Sequence, residues 1–391
     1  MFAKKSLIII VFTFLVLISG SLEAKAQTSS VFVVGLKAPE KIIYAQPQGY
    51  FLVSEAGESA IANNGRVSIV TNAGARLTLL DGLPSGPAVP NNDPSGPSAL
   101  WLNGNTLYIV IGSGNEVLNG PFAGTEMPNF HPNSPLFSSV LELQFHSTGV
   151  PLDNYNYQLL PADHSRLANG ETVVLGGKGR PIALLRLAAN FPDFTPNFRP
   201  DFPANVRSSN PFGAALTANT LYVADASQNM IRTVNLASGA IGTFFTYPPR
   251  PNPGMGPPFI EAVPDGLRLV GNQLLVPLLT GFPFLPQFAE IRSIDLTTGV
   301  DSLFIGGLTS AIDVLPVSSG CVFCHPVYTL EFSTNLRMGA PGRLQRFDSP
   351  TTPTVIVSNL ITPTSMALHP SGDIFVTEIF PGRIIRVTLA P

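Results

Sequence analysis

Hydrophobic and polar positions along this chain repeat as a phrase: a Pro, an apolar run, a polar turn, then a second apolar run that ends in an acid. The clearest copy reads Pro211-Phe212-Gly213-Ala214-Ala215-Leu216, followed by Asn219-Thr220-Leu221-Tyr222-Val223-Ala224-Asp225. Copies start at Pro97, with Leu107-Tyr108-Ile109, at Pro264, with Leu274-Leu275-Val276, and at Pro363, ending Ile374-Phe375-Val376-Thr377-Glu378. A weaker copy opens at Pro39 and ends at Glu55, and another has Ser310 in the Pro slot and ends at Glu331. Short apolar runs rich in β-branched and aromatic residues, bounded by turn residues, read as antiparallel strands. A third strand follows in every unit, for example Ser139–Phe145 and Arg343–Asp348, and a fourth in most, for example Tyr157–Leu160 and Ser302–Ile305. Self-similarity at this period marks a repeat architecture.

The slots at 39, 97, 211, 264, 310 and 363 lie 46 to 58 residues apart, except for one spacing of 114. The last unit has no fourth strand at its own end. The segment Val31-Phe32-Val33-Val34-Gly35-Leu36 resembles the fourth strand Leu303-Phe304-Ile305-Gly306-Gly307-Leu308 and supplies the missing copy. The expectation is an all-β, six-bladed β-propeller of four-stranded blades, with the N-terminal strand completing the last blade and so hiding an open edge. The long spacing leaves room for a seventh unit. Its residues 161–209 read instead as an inserted inter-blade loop with one strand, Thr172–Leu175, and a helical piece, Arg180–Ala189.

Composition narrows the functional classes. Charged residues make up 12% of the chain and the formal net charge is -3, which disfavours a nucleic-acid partner. Lys4 and Lys5 precede the apolar run Leu7 to Ile18, and Ala24-Lys25-Ala26 fits a small-x-small cleavage site. Residues 1–26 therefore read as a signal peptide and 27–391 as the propeller domain, secreted or periplasmic, monomeric, with no membrane span after cleavage.

In a propeller of this hand, the start of the first strand and the end of the second share one face, here called the top. The long irregular connections gather there, and function lives on loops held by a rigid scaffold. Candidate ligand-binding residues on this face are Glu55, Asn210, Asp225, Asp265, Phe282, Phe284, Asp313 and Glu378. Each strand-end acid has two readings: a ring of carboxylates facing a cation or polar ligand, or a cap accepting backbone N–H groups from the next connection. Asp265 and Asp313 are the titratable groups expected nearest the axis, serving a ligand or hydrogen-bonding channel water. Phe282 and Phe284, stiffened by Pro283 and Pro286, either stack on a flat ligand or form a lid packed on the ring.

The two cysteines form Cys321-Val322-Phe323-Cys324-His325 in an enlarged bottom-face turn. The spelling matches a haem-attachment motif. An oxidising compartment favours a Cys321–Cys324 disulfide, and haem needs an apolar pocket that the turn does not provide. No resident cofactor is expected; the lesser readings are Ca²⁺ in the channel and haem or a two-Cys-plus-His metal site at Cys321, Cys324 and His325. Nucleophile elbows, phosphate loops and paired-His zinc helices are absent from the sequence.

The order of Ser209-Asn210-Pro211-Phe212-Gly213, Leu221 to Ala226, Leu279-Thr280-Gly281-Phe282-Pro283-Phe284 and Ile312-Asp313-Val314 resembles the ScyD/ScyE family. These are secreted or periplasmic proteins named from scytonemin pigment biosynthesis. The resemblance covers most of the mature chain and implies a propeller related to NHL-repeat and gluconolactonase-like proteins, without a settled activity. The Cys-x-x-Cys-His turn and the long 112–137 connection depart from the family pattern. The resulting expectation is a non-catalytic protein that binds a small molecule or a protein partner on its top face. The alternative is a metal-dependent hydrolase or lactonase-like propeller with acids such as Glu55, Asp265 and Asp313 at the channel. An electron-transfer role for Cys321, Cys324 and His325 is a third, separate class.

Overall fold

A computed structural model describes residues 27–46, 48–146, 156–177, 180–317 and 326–389. The leader expected over 1–26 and the Cys321–His325 motif lie outside the described residues.

Among the described residues, six sheets of four or five strands carry the repeat along the chain. Their first strands are Pro39–Ala45, Pro97–Asn103, Pro211–Thr217, Arg268–Val270, Ala311–Pro316 and Pro363–Leu368. Each of these touches the next, and the last touches the first, so the first strands close a ring around an axis. The protein is a β-propeller. Its core is divided among the gaps between neighbouring sheets. Leu52, Ile69, Leu100 and Ile109 pack together between the first two sheets, and Leu330, Leu344, Met366 and Val376 between the last two.

The ring closes as the repeat predicts. Thr28–Val34 pairs antiparallel with Arg383–Thr388, from Thr28 opposite Thr388 to Val34 opposite Arg383. Leu36 N–H then donates to Gly382 O at 2.9 Å, and the Phe32 ring meets Phe375 edge-on with centroids 4.9 Å apart. The first described strand of the chain is thus the outermost strand of the last sheet.

The residues after 156 differ from expectation. Arg180–Asn190 is a strand, not a helix, and is the fourth strand of the second sheet, paired from Ala183 to Asn190 with Ser139–Phe145. Its Ala- and Leu-rich sequence favours a helix locally, but Ala183, Leu185 and Ala189 are buried while Ile182, Arg186 and Asn190 are exposed, a period of two. The open edge of Ser139–Phe145 needs a hydrogen-bonding partner, and that tertiary demand overrides propensity. Val173–Gly177 adds a fifth strand to the same sheet. Tyr157–Gln158, expected to be that sheet's fourth strand, instead runs parallel to Arg76–Leu83 of the first sheet. The helix Pro161–Ala168 follows it. The remainder of the insertion, Phe194–Pro196 and Val206–Ser208, joins Val117–Asn119 and Glu126–Pro128 in a small separate sheet.

The strand-end acids have a common structural role. Glu55, Asp225 and Glu378 stand opposite the slot prolines Pro39, Pro211 and Pro363. In the fifth sheet Ala311, rather than Ser310, stands opposite Glu331. All four acids are fully buried. Each accepts a backbone N–H from one or two residues before the slot: Lys37 to Glu55 at 2.5 Å, Asn210 to Asp225 at 2.8 Å, Thr309 to Glu331 at 2.5 Å and Ile361 to Glu378 at 2.5 Å. Arg232, Arg343 and Arg383 from the third strands pair with Asp225, Glu331 and Glu378, and Arg76 approaches Glu55 at 3.9 Å. A carboxylate holding both N–H donors and a guanidinium is a charge-assisted clasp. It pins each incoming connection to the sheet it enters.

Ring closure and the clasps can each be tested by removal. Deleting residues 27–37 is expected to lower the melting temperature by about 5 °C or more and to cause aggregation through the exposed Arg383–Thr388 edge; a monomer with unchanged melting would contradict the pairing. Asp225→Ala leaves Arg232 buried without its partner and is expected to cost about 3–5 kcal/mol in denaturant unfolding. An effect no larger than that of an exposed-site control would remove the clasp from the account.

Candidate functional site

Inner strands of five sheets carry a register shift directly after the slot, between Pro39 and Ile42, Pro97 and Ala99, Pro211 and Gly213, Ala311 and Asp313, and Pro363 and Ser365. A bulge of this kind adds residues and re-aims side chains. The positions just past the slot therefore meet at the axis. Ser98 Oγ donates to Pro211 O at 2.8 Å and Thr364 Oγ1 to Pro39 O at 3.0 Å, each bridging to a neighbouring sheet. At Gly213 a Cβ would lie 2.1 Å from Asp265 O, so only glycine permits this approach of the third and fourth sheets.

Asp313 is the centre of the axial polar cluster. Arg268 of the fourth sheet donates to it at 2.7 Å, and Lys41 of the first sheet lies 3.5 Å away. Ser365 Oγ and Met366 N of the sixth sheet each donate to Oδ2 at 3.0 Å. Burial alone would raise this carboxyl, but the charges of Arg268 and Lys41 outweigh burial and hold it at about 2 instead of 3.8. Burial, and then the Arg268 charge, bring Lys41 down from 10.5 to about 8 against the pull of Asp313.

Glu40 and Asp265 occupy the same repeat position, one residue past the slot, in the first and fourth sheets. Both are buried, and burial raises both carboxyls well above their ordinary values; Glu40 is raised further by the charge of Asp265. Asp265 Oδ2 has no hydrogen-bond partner among the described residues. Asp265 also lines a cavity of about 390 Å³, together with Asn210, the small sheet's Glu126 and Arg207, the adjoining Glu261, and the apolar side chains of Phe212, Val263 and Leu279. Arg207 pairs with Glu261 at 3.1 Å. Glu126 Oε2 accepts Ser208 N–H at 2.7 Å, which fixes one wall of the cavity.

Of the eight candidate residues, the structure brings two, Asn210 and Asp265, to this cavity. Glu55, Asp225 and Glu378 are enclosed in the clasps, where their oxygens meet backbone, hydroxyl and guanidinium groups instead of the cavity. Asp313 is neutralised by two bases at the axis. Phe282 is exposed and its ring stands perpendicular to that of Phe284, centroids 6.1 Å apart, with the Arg337 guanidinium 5.9 Å from Phe282. The cavity lining reaches Gly281 but neither ring. Sequence reasoning missed Glu40, Lys41 and Arg268 at the axis and Glu126, Arg207 and Glu261 at the cavity.

One nucleophile–base pair also emerges from distant segments. Ser134 Oγ lies 2.9 Å from His164 Nδ1, and His164 Nε2 lies 2.9 Å from Gly82 O. The carbonyl requires Nε2 to carry the proton, so Nδ1 accepts from Ser134. Both residues are 2% exposed, out of reach of a substrate. The pair anchors the helix to the first sheet.

No family model and no curated protein matches the chain. Solved propellers do. A streptogramin B lyase is 14% identical, with 93% of this chain and 98% of that chain covered and a TM-score of 0.46. A putative oxidoreductase (glucose dehydrogenase) from Thermus thermophilus is 14% identical, with 93% and 100% covered and a TM-score of 0.46. The WD40 propeller domain of Doa1 is 11% identical, with 93% and 97% covered and a TM-score of 0.42. These likenesses are of fold and carry no activity to this chain.

The axial cluster makes a pH prediction. A carboxyl lowered from 3.8 to about 2 contributes stability that is present above 3.8 and lost as pH falls to about 2. Asp313→Asn is expected to be about 3–5 kcal/mol less stable than wild type at pH 7, and the gap is expected to narrow by about 2 kcal/mol as pH falls from 3.8 to about 2. A gap independent of pH would show that the ionised carboxylate is not what the cluster uses.

Proposed function

We propose that this protein is a propeller of the ScyD/ScyE type that acts outside the cytoplasm and binds a small molecule in the cavity at the top of its axis, without catalysis. The observation that carries this reading is Asp265: a buried carboxyl with an unpartnered oxygen, lining a cavity of about 390 Å³. An unsatisfied buried oxygen costs about 1–3 kcal/mol, and groups held at the expense of stability collect at functional sites. The cavity falls within the size range of small-molecule sites, about 300–1,000 Å³. Its mixed wall, polar at Asn210, Ser227 and Asp265 and apolar at Phe212, Val263 and Leu279, supplies orientation and contact area together.

The ScyD/ScyE likeness rests on the sequence phrases around Asn210, Leu221, Phe282 and Asp313. Action outside the cytoplasm rests on the leader expected over residues 1–26. A second reading is the hydrolase or lactonase-like enzyme. It is favoured by the raised Asp265 carboxyl, which would keep a proton available to a substrate in the cavity.

Asn210→Trp places an indole in the cavity and tests the reading directly. Wild-type protein equilibrated with a small-molecule extract of its source cells is expected to retain compounds, identified by mass spectrometry, that the variant loses. The melting temperature is expected to stay within about 3 °C. Identical retained compounds in both proteins would overturn the assignment of the site.

A further inference from the structure

The cavity is short of positive charge. At its rim two carboxyls, Glu126 and Glu261, face one guanidinium, Arg207, which pairs with Glu261. Beneath them Asp265 has an oxygen without a partner. Glu40, close enough across the axis to feel the Asp265 charge, adds a further acid. The nearby bases do not compensate, because Lys41 and Arg268 are both directed at Asp313. A buried carboxyl without a base or a donor stays protonated or takes its countercharge from what binds. The walls at Phe212, Val263 and Leu279 are apolar, so the group bringing that charge has room for a hydrophobic body beside it.

We propose, resting on the cavity as the binding site, that its ligand is an organic cation: an ammonium group directed at Asp265 and Glu261, carried on an apolar body that lies against Phe212 and Leu279. An ammonium offers three donors in a compact charge. It would bring a countercharge to the Asp265 carboxyl and to the acidic rim of the same cavity. A neutral polar ligand would satisfy the oxygen but leave the charge unbalanced, and an anionic one would add to the excess.

Three probes of one shape separate these cases: 3-phenylpropylammonium, 3-phenylpropanol and 3-phenylpropanoate, titrated calorimetrically into the full chain at one ionic strength. The ammonium is expected to bind at least about tenfold more tightly than the alcohol, with the carboxylate weakest. Asp265→Asn and Glu261→Gln are each expected to reduce ammonium affinity about fivefold or more and to leave the alcohol within about twofold. Glu261, on the rim, serves as the second variant should Asp265→Asn fold poorly. Equal or tighter binding of the alcohol or the carboxylate would overturn the charge inference while leaving the cavity as a ligand site. Calcium binding that Asp265→Asn and Glu261→Gln weaken, at a site where the ammonium does not bind, would also overturn it, in favour of an inorganic ion. Binding of none of the probes, with compounds from the cell extract still lost in Asn210→Trp, would overturn the organic cation alone; no probe binding and no effect of Asn210→Trp would overturn both readings.

Discussion

The ring depends on a buried carboxylate at its axis. Asp313 accepts from Arg268, Ser365 and Met366 and faces Lys41, so one side chain joins the first, fourth, fifth and sixth sheets. Neighbouring sheets of a propeller bury apolar surface against each other, but that attraction is non-directional and does not fix how far each inner strand advances toward the axis. Hydrogen bonds to a single charged centre do. Arg268 also donates to Val314 O and Met366 O, which sets the height of its own strand relative to the two sheets that follow. The polar axis acts as a register mark for elements that hydrophobic packing alone would leave free to slide.

The periphery solves the same problem locally. A slot proline has no N–H to give, and the connection entering the sheet arrives with donors unpaired. The opposing acid collects one of those donors and, in the third, fifth and sixth sheets, an arginine from the next strand. The third sheet shows the arrangement most fully: Asp225 accepts from Ser209, Asn210, Gln228 and Arg232. The second and fourth sheets have Ile111 and Leu278 opposite their prolines and lack this clasp. Glu116, on the connection after the second sheet's second strand, accepts from Ser138 Oγ and from the N–H of Ser209, two residues before the third sheet's slot, so a loop carboxyl adds to the hold on that incoming connection.

Much of the fold was readable because the repeat imposes one hydrophobic pattern many times, and a strand misjudged in one copy is corrected by the others. Reading failed where no second copy exists. Arg180–Asn190 has a helix-forming composition, and only the waiting edge of Ser139–Phe145 makes it a strand. The site was readable in part. Asp265 and Asn210 were found from their place in the repeat, and Glu40 stands at the place of Asp265 in the first unit, directly after Pro39, with Lys41 beside it. Their signal was two consecutive charges inside an otherwise apolar strand. Glu126 and Arg207 had no such signal. They are 81 positions apart in the chain and meet because two connections without a repeat pair in a small sheet of their own. Phe282 and Phe284 were conspicuous for their chemistry, and chemistry alone does not say whether a ring faces a cavity.

The pairing of Thr28–Val34 with Arg383–Thr388 also governs the order of assembly. The partners stand at opposite ends of the chain, so a growing polypeptide finishes five sheets before the sixth has all its strands. Closing that contact joins residues about 350 or more positions apart. Loop-closure entropy grows slowly with length, but contacts of such separation place the step late and make it slow relative to hairpin formation within each sheet. The last event in folding is then the meeting of the first and last strands, and until it occurs the molecule is an open arc of sheets rather than a ring.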